Sequence, residues 1–174
     1  MFLDETGFLL QPLNRRTWAP RGETPVQYVS ARHDRLSVIG AVTLSPQRQR
    51  INTYWQFYDN NIVATDVVAF LRQLHRQIGR RLIVVLDRFN VHRKAARLLM
   101  EQGAGWLTIE WLPAYAPDLN PVEAMWNCTK YSDLANYTPV TLDDLAEAAT
   151  NSLISQYGHH HTKRSYFQTA KLNL

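Results

Sequence analysis

The run RLIVVLD at residues 81–87 constrains the fold of this chain more than any other stretch. It is short, continuously apolar and ends in a charge, which is the pattern of a central strand buried on both faces of a sheet. Helical periodicity at 62–79 before it and at about 92–102 after it predicts helix-connected, parallel strands. Asp87 then lies at the carboxyl edge of its strand, where open α/β sheets form their sites.

The rest of the chain extends this sheet on both sides. Strands are predicted, in chain order, at FLDETGF, VQYVSA, LSVIGAVTL, INTYWQFY and, after the second helix, WLTIEWL. The early ones are joined by turn-rich segments and can pair as an antiparallel meander. Two more helices are predicted from Pro121 and over 141–158. The predicted fold is α/β, with a mixed central sheet flanked by helices, in one domain over 1–158. A basic, loosely ordered tail is expected over 159–174.

Composition and charge narrow the class of function. With 45% hydrophobic and 20% charged residues in 174, the chain is typical of a globular protein. It has neither an apolar run of about 18 residues nor the order of a signal peptide, so we expect a cytoplasmic protein without a membrane partner. Between residues 72 and 97 Asp87 is the one acid among basic residues, which are Arg72, Arg76, Arg80, Arg81, Arg88, Arg93, Lys94 and Arg97. This stretch is either a solvated surface or a surface for an anionic partner.

Three carboxylates are expected near the same edge of the sheet. Asp4 lies in the middle of the first strand, Asp87 ends the central strand, and Glu123 falls in the first turn of a helix that Asn120 caps. Together they are the oxygen ligands that hard divalent cations require. Each has another interpretation: Glu123 could complete a capping box with Asn120, Asp87 could pair with a neighbouring arginine, and Asp4 could be structural.

Four motifs resemble those of the DDE transposases of bacterial insertion sequences related to the Tc/mariner superfamily. The most specific is the run LPAYAPDLNPVEAMWNCTK at 112–130. The others are DET at Asp4, TWAPRG at 17–22 and VLDRFNVHR at 85–93. The resemblance covers the chain to about Tyr157. It implies an RNase H-like fold, whose first three strands are antiparallel and whose later strands are helix-connected.

The resemblance also implies a reaction and its residues. Asp4, Asp87 and Glu123 match the three catalytic acids, with 35 residues between the second and the third. They would hold two Mg²⁺ or Mn²⁺ ions for phosphodiester hydrolysis and transesterification of DNA, that is, strand cleavage and strand transfer. Glu123 could cap its helix and still bind metal, because a carboxylate has two oxygens.

Residues around the second acid are candidate auxiliaries. His92 could contact the scissile phosphate, orient Glu123, or make a hydrogen bond at the start of its helix. Candidate contacts to DNA phosphates are Arg88, Arg93 and Lys94.

The expected partner is DNA, as transposon ends and target, near the nucleoid. Relatives carry an N-terminal helix-turn-helix region, and only three residues precede Asp4, so we expect that region to be absent. The chain would then be a fragment, a split-frame product or a degenerate copy. It would act as a homodimer or with a DNA-binding partner. Two rival functions are an inactive remnant that binds nucleic acid or pairs with a transposase, and another nuclease of the same fold, such as an RNase H or junction resolvase.

Overall fold

The computed structural model describes residues 1–29 and 34–174, and its centre is a five-stranded mixed sheet. The strands are β1 (Phe2–Leu9), β2 (Arg35–Leu44), β3 (Ile51–Tyr58), β4 (Leu82–Leu86) and β5 (Leu107–Trp111). Their order across the sheet is β3-β2-β1-β4-β5. The first three strands are antiparallel, and β4 runs parallel to both β1 and β5. The predicted mixed sheet is therefore confirmed.

Helices cover both faces of this sheet. They are α1 (Ala64–Ile78), α2 (Asn90–Glu101), α3 (Pro121–Cys128), α4 (Leu142–Gly158) and α5 (His160–Thr169). A 3-10 turn (Pro117–Leu119) precedes α3, and a π-helical turn (Thr129–Asp133) follows it. Within the described ranges, no helix combines the length and the apolar character that crossing a membrane requires.

Each face of the sheet has its own core, and β1 contributes to both. Leu3 packs with residues of α1, α2 and β4, whereas Phe8 packs with α3, α4 and α5. This division follows from the alternation of side chains along a strand. Asp4 consequently faces the helices α3 to α5, and Glu5 faces α1 and α2.

Two expectations from the sequence are wrong. In VQYVSA, residues 26–29 are exposed and form no strand, and the last two residues lie outside the described part of the chain. The segment after 158 is not loosely ordered, because it forms α5 and buries Tyr166 and Phe167 in the core. Phe167 also packs edge-to-face against Phe2 of β1, with ring centroids 6.0 Å apart.

Candidate active site

The parallel pairing of β1 with β4 brings Asp4 and Asp87 level with each other. Phe2 pairs with Val85, and each acid follows its paired residue by two positions. Neighbouring strands are about 4.8 Å apart, so these carboxylates start from adjacent points on the sheet. Residues alternate between faces, and Leu86 packs toward α1 and α2, so the direction of β4 points Asp87 to the same side as Asp4.

Helix α3 carries Glu123 and is fixed to β1 by a buried side chain. Asn120 caps the helix, since its Oδ1 accepts from the N–H of Val122 at 3.2 Å, as the sequence predicted. Its Nδ2 also donates to the carbonyl oxygen of Leu3, at 3.3 Å. The side-chain amide of Asn120 therefore joins the start of α3 to the backbone of β1 beside Asp4. This contact helps to position Glu123, which lies in the first turn of the same helix.

A glycine in β2 lets α3 lie close to the sheet. Gly40 pairs with Asp4 across the β1–β2 ladder. A Cβ on Gly40 would stand 2.5 Å from two carbons of the Trp126 ring and 2.9 Å from the methyl carbon of Met125. The indole thus rests directly on the glycine backbone.

The capping-box interpretation of Glu123 is wrong. In a capping box its carboxylate would accept from the N–H of Asn120. That N–H instead donates to the carbonyl oxygen of Pro117, at 2.8 Å. Throughout residues 1–29 and 34–174, no hydrogen bond reaches the Glu123 carboxylate, so both of its oxygens are available to a ligand.

His92 orients Asp87, and Glu5 in turn binds the other ring nitrogen of His92. His92 is 1% exposed and donates from Nδ1 to Asp87 Oδ1 at 2.5 Å and from Nε2 to Glu5 Oε2 at 2.7 Å. The N–H of Phe89 donates to the same Asp87 oxygen, at 2.9 Å. Oδ2 is left without a partner in the described ranges, on a side chain that is 50% exposed. The ion-pair partner of Asp87 is thus His92, and no described arginine pairs with it.

The two hydrogen bonds make His92 a buried cation. Burial lowers its pKa, but the bonds to Asp87 and Glu5, together with their charges, outweigh burial and raise it to about 10. The same bond from His92 lowers the pKa of Asp87 despite partial burial. Asp87 is therefore ionised and fixed in direction. Both ring nitrogens of His92 are thus bonded to carboxylates, those of Asp87 and Glu5, and the structure shows no hydrogen bond from the described His92 to Glu123.

The pKa values of the other two acids, Asp4 and Glu123, are raised and not lowered. Burial raises the pKa of Asp4 well above its ordinary value, and repulsion from Glu123 is the largest electrostatic addition. Burial also raises the pKa of Glu123, where Asp87 adds to the rise and Lys130 opposes it. Acids from three elements thus repel one another across a partly buried space, and a cation between them would relieve that repulsion.

The donor set suits a hard divalent cation, although the side chains have not converged on one point. Across the described ranges, no three His, Cys, Asp or Glu side chains are arranged to hold a metal ion. The available ligand atoms of Asp4, Asp87 and Glu123 are all carboxylate oxygens, which Mg²⁺ and Mn²⁺ prefer. The repulsion among these carboxylates is the reason to expect a cation between them. A bound divalent ion would draw the three side chains together.

The candidate phosphate contacts are exposed side chains that follow Asp87 closely in the sequence. Arg93 and Lys94 lie near the start of α2, and Arg88 donates to the carbonyl oxygen of Leu112 at 3.5 Å. Arg72, by contrast, donates to Gln102 Oε1 at 2.7 Å, so it links α1 to α2. The basic stretch therefore divides into a structural part and a part beside Asp87.

Sequence reasoning missed two charged residues here. Glu5 lies on the face of β1 opposite to Asp4, and that face brings it to His92. Lys130 was not singled out, and it lies in the π-helical turn that follows α3. Its Nζ donates to Thr6 Oγ1 in β1.

The chain is similar to a known family along most of its length. A model of the family described as DDE superfamily endonuclease matches residues 1–146. Comparison with curated proteins gives no match.

Solved structures of the mariner Mos1 transposase have a similar fold. The paired end complex with Mg has a TM-score of 0.65 at 16% identity, and the one with Mn has 0.64 at 16%. The strand transfer complex has 0.62 at 17%. Each covers 98% of this chain and 50% to 52% of the Mos1 chain, so this chain spans about half the length of those proteins. The likeness confirms the predicted RNase H-like fold.

Proposed function

The chain belongs to the DDE superfamily endonuclease family, and from that premise we propose that it is a transposase catalytic domain. Its reaction would be divalent-metal-dependent cleavage of DNA strands and their transfer to a new site. The observation that supports the proposal is electrostatic: repulsion from Glu123 and Asp87 adds to burial in raising the pKa of Asp4, and repulsion from Asp87 adds to burial in raising that of Glu123, although the three acids come from separate elements. Structural acids are ordinarily paired, whereas Glu123 and one oxygen of Asp87 have no hydrogen-bond partner among the described residues.

The proposed cofactor is Mg²⁺ or Mn²⁺, held by these three carboxylates. When bound, two such ions would activate the attacking oxygen and stabilise the leaving oxygen of a phosphodiester. The chain's own contribution is to hold the acids in place. His92 and the N–H of Phe89 fix one oxygen of Asp87, and Asn120 fixes the helix of Glu123 against β1.

The proposed substrate is DNA, as transposon ends and target. The exposed cations beside Asp87, which are Arg88, Arg93 and Lys94, support phosphate contacts on that side of the site. Contacts of this kind give salt-dependent binding that does not depend on base sequence. The Mos1 structures are described as paired end and strand transfer complexes, which supports the same class of substrate for this fold.

The first test is a calorimetric titration with Mn²⁺. We expect binding by the wild type, and a loss of about tenfold or more in affinity for Asp87→Asn, Asp4→Asn and Glu123→Gln, because each removes a charged ligand. Glu101→Gln is the matched control, since Glu101 is an exposed acid at the far end of α2 from Asp87.

The second test is nicking of supercoiled plasmid in Mn²⁺, with a chelator as blank. Each of the three active-site variants should lose nicking, and the control should keep it. A wild type that binds no Mn²⁺ at millimolar concentration would sink the proposal and favour a domain that holds nucleic acid without cleaving it.

A further inference from the structure

A basic groove lies at the end of the sheet where β4 begins, away from the three acids. Its volume is about 900 Å³, and Arg50, Arg80 and Arg81 line it. Among the described residues that form its walls, none is an acid. Arg80 and Arg81 belong to the basic stretch of the sequence, whereas Arg50 comes from the connection between β2 and β3. Distant parts of the chain therefore bring three positive charges to one groove.

The length of β4 separates this groove from the acids. Arg81 directly precedes the strand and Asp87 directly follows it, so the five strand residues lie between them. A strand rises about 3.3 Å per residue, which places the two backbones about 20 Å apart. Exposed charges are largely screened beyond about 8 Å at physiological ionic strength. The groove arginines therefore do not balance the charge of the acids.

The wall that carries Arg50 is a tight connection organised by Ser45. The Ser45 hydroxyl accepts from the N–H groups of Gln49 and Arg50, at 3.2 and 3.1 Å. The N–H of Ser45 donates to the carbonyl oxygen of Arg50 at 2.9 Å, which closes the turn. The backbone of Arg50 is thus held at both of its polar groups.

The other wall is the junction between α1 and β4, and an aromatic stack supports it. His75 donates from Nδ1 to the carbonyl oxygen of Arg80 at 3.0 Å. The imidazole also stacks on the ring of Trp106, with centroids 4.3 Å apart and planes 9° apart. The N–H of Leu82 donates to the carbonyl oxygen of Trp106 at 2.8 Å. The backbone that carries Arg80 and Arg81 is therefore fixed on both sides.

The three guanidinium groups are available to a ligand. Within residues 1–29 and 34–174, no hydrogen bond or ion pair reaches the side chain of Arg50, Arg80 or Arg81. Each guanidinium has five N–H donors in a planar fork. Positive charges gathered in a groove without acids attract an anion.

The other polar side chains of the groove indicate which anion fits. Contacts to the phosphate backbone of nucleic acids come from arginine and from Ser, Asn, Gln and Tyr side chains. Beside its arginines the groove is lined by Ser45, Gln47, Gln49, Asn52 and Tyr54. A guanidinium can bind a phosphate through two parallel N–H donors. The lining therefore fits a phosphodiester backbone.

We propose that this groove is a second DNA-binding surface, which holds the phosphate backbone of a duplex segment other than the one at the three acids. The choice of DNA among polyanions rests on the proposed function, whereas the charge of the groove does not. The surface requires no metal ion, because its polar groups are arginines and neutral donors. Binding there should depend on salt and not on base sequence.

The experiment measures how many duplexes one chain binds. The probe is a short blunt duplex of fixed sequence, titrated by calorimetry at low salt in Ca²⁺. The groove variant, Arg50→Gln/Arg81→Gln, removes one guanidinium from each wall. The charge-matched control is Arg76→Gln/Arg97→Gln, because both arginines are exposed and neither lines the groove.

We expect the wild type and the control to bind two duplexes per chain. The groove variant should bind one, because the loss of two guanidinium contacts should weaken the second duplex by about tenfold or more. Arg50→Lys/Arg81→Lys keeps both charges and should keep the second duplex, since phosphate also binds to lysine as a point charge. One duplex per wild-type chain, or two in the groove variant, would overturn the inference.

Energy transfer between two duplexes that carry donor and acceptor dyes is the second measurement. The wild type should bring the dyes together, and the groove variant should not. A dimer that pairs two duplexes only through its acid sites would keep the transfer in the groove variant, which would contradict the inference. Millimolar pyrophosphate at constant ionic strength should leave the second duplex bound. Displacement would indicate a site for a small phosphate compound and would also contradict it.

Mn²⁺ calorimetry separates this inference from the proposed function. The wild type and the groove variant should bind Mn²⁺ equally, because the groove is about 20 Å from the acids. Unequal values would count against a separate surface. A wild type that binds no Mn²⁺, and that loses one of two duplexes in the groove variant, would overturn the proposed metal site and support the groove.

Discussion

Gly40→Ala is the substitution whose effect the structure defines most closely. The added Cβ would lie 2.5 Å from Trp126 Cη2 and Cζ2, about 1 Å short of the ordinary contact distance of 3.4 Å. Trp126 is 1% exposed and packs edge-to-face on Phe8, so the ring cannot move aside alone. Overpacking of this kind costs about 1–3 kcal/mol, and we expect a value near the upper end. Relief would come by moving α3, and Glu123 with it, away from Asp4.

The assay is urea unfolding followed by far-ultraviolet circular dichroism, with Gly105→Ala as the matched control. A Cβ on Gly105 has nothing within 4 Å, so its free energy of unfolding should change by less than about 0.5 kcal/mol. A double-mutant cycle adds a stricter test. Phenylalanine at 126 lacks the outer ring of the indole, so Gly40→Ala should cost less in the Trp126→Phe background. An equal cost in both backgrounds would refute the proposed contact.

Three further predictions follow from buried polar groups. Tyr166→Phe leaves Gln156 Oε1 without its donor and should lower the free energy of unfolding by about 1–2 kcal/mol in urea. Asn120→Ala removes the cap of α3 and its bond to β1, and should cost about 1–2 kcal/mol in the same assay. In the metal-free protein the raised pKa of His92 gives stability that is present below pH 6.5 and lost as pH rises toward about 10. Glu5→Gln should lower that pKa, which an NMR titration of the imidazole protons measures; no change would contradict the pairing.

The sequence predicted those parts of the site that depend on local chemistry. An apolar run that ends in a charge identified β4 and placed Asp87 at its edge, and Asn-Pro before a helical pattern identified the cap of α3. Side chains alternate along β1, so Asp4 and Glu5 lie on opposite faces of the sheet. These features depend only on residues that are close in sequence, so they can be predicted before the fold is known.

The remaining features depend on contacts between distant residues. Glu5 meets His92 across 87 positions of sequence, and no local pattern indicates such a pair. The spacing of Asn120 and Glu123 fits a capping box, but the N–H of Asn120 donates to the carbonyl oxygen of Pro117 and not to Glu123. Residues 159–174 are polar and basic, yet Tyr166 and Phe167 anchor α5, since burying two aromatic rings outweighs a weak local preference. In VQYVSA the apolar residues Val26 and Tyr28 stay 73% and 91% exposed, so pattern alone did not make a strand.

The pKa values of the three acids are shifted in different directions, because each acid has different surroundings. Asp87 receives two donors on one oxygen, which lower its pKa and fix its direction without any metal ion. Asp4 and Glu123 are partly buried and are repelled by neighbouring acids, and both effects raise their pKa values. Lys130 is the nearby cation that opposes the rise at Glu123. Asp87 is thus held ready to act as a ligand, whereas burial and repulsion disfavour the charged forms of Asp4 and Glu123. Loss of Asp87 should therefore weaken metal binding more than loss of Glu123, and the calorimetric series can rank the two.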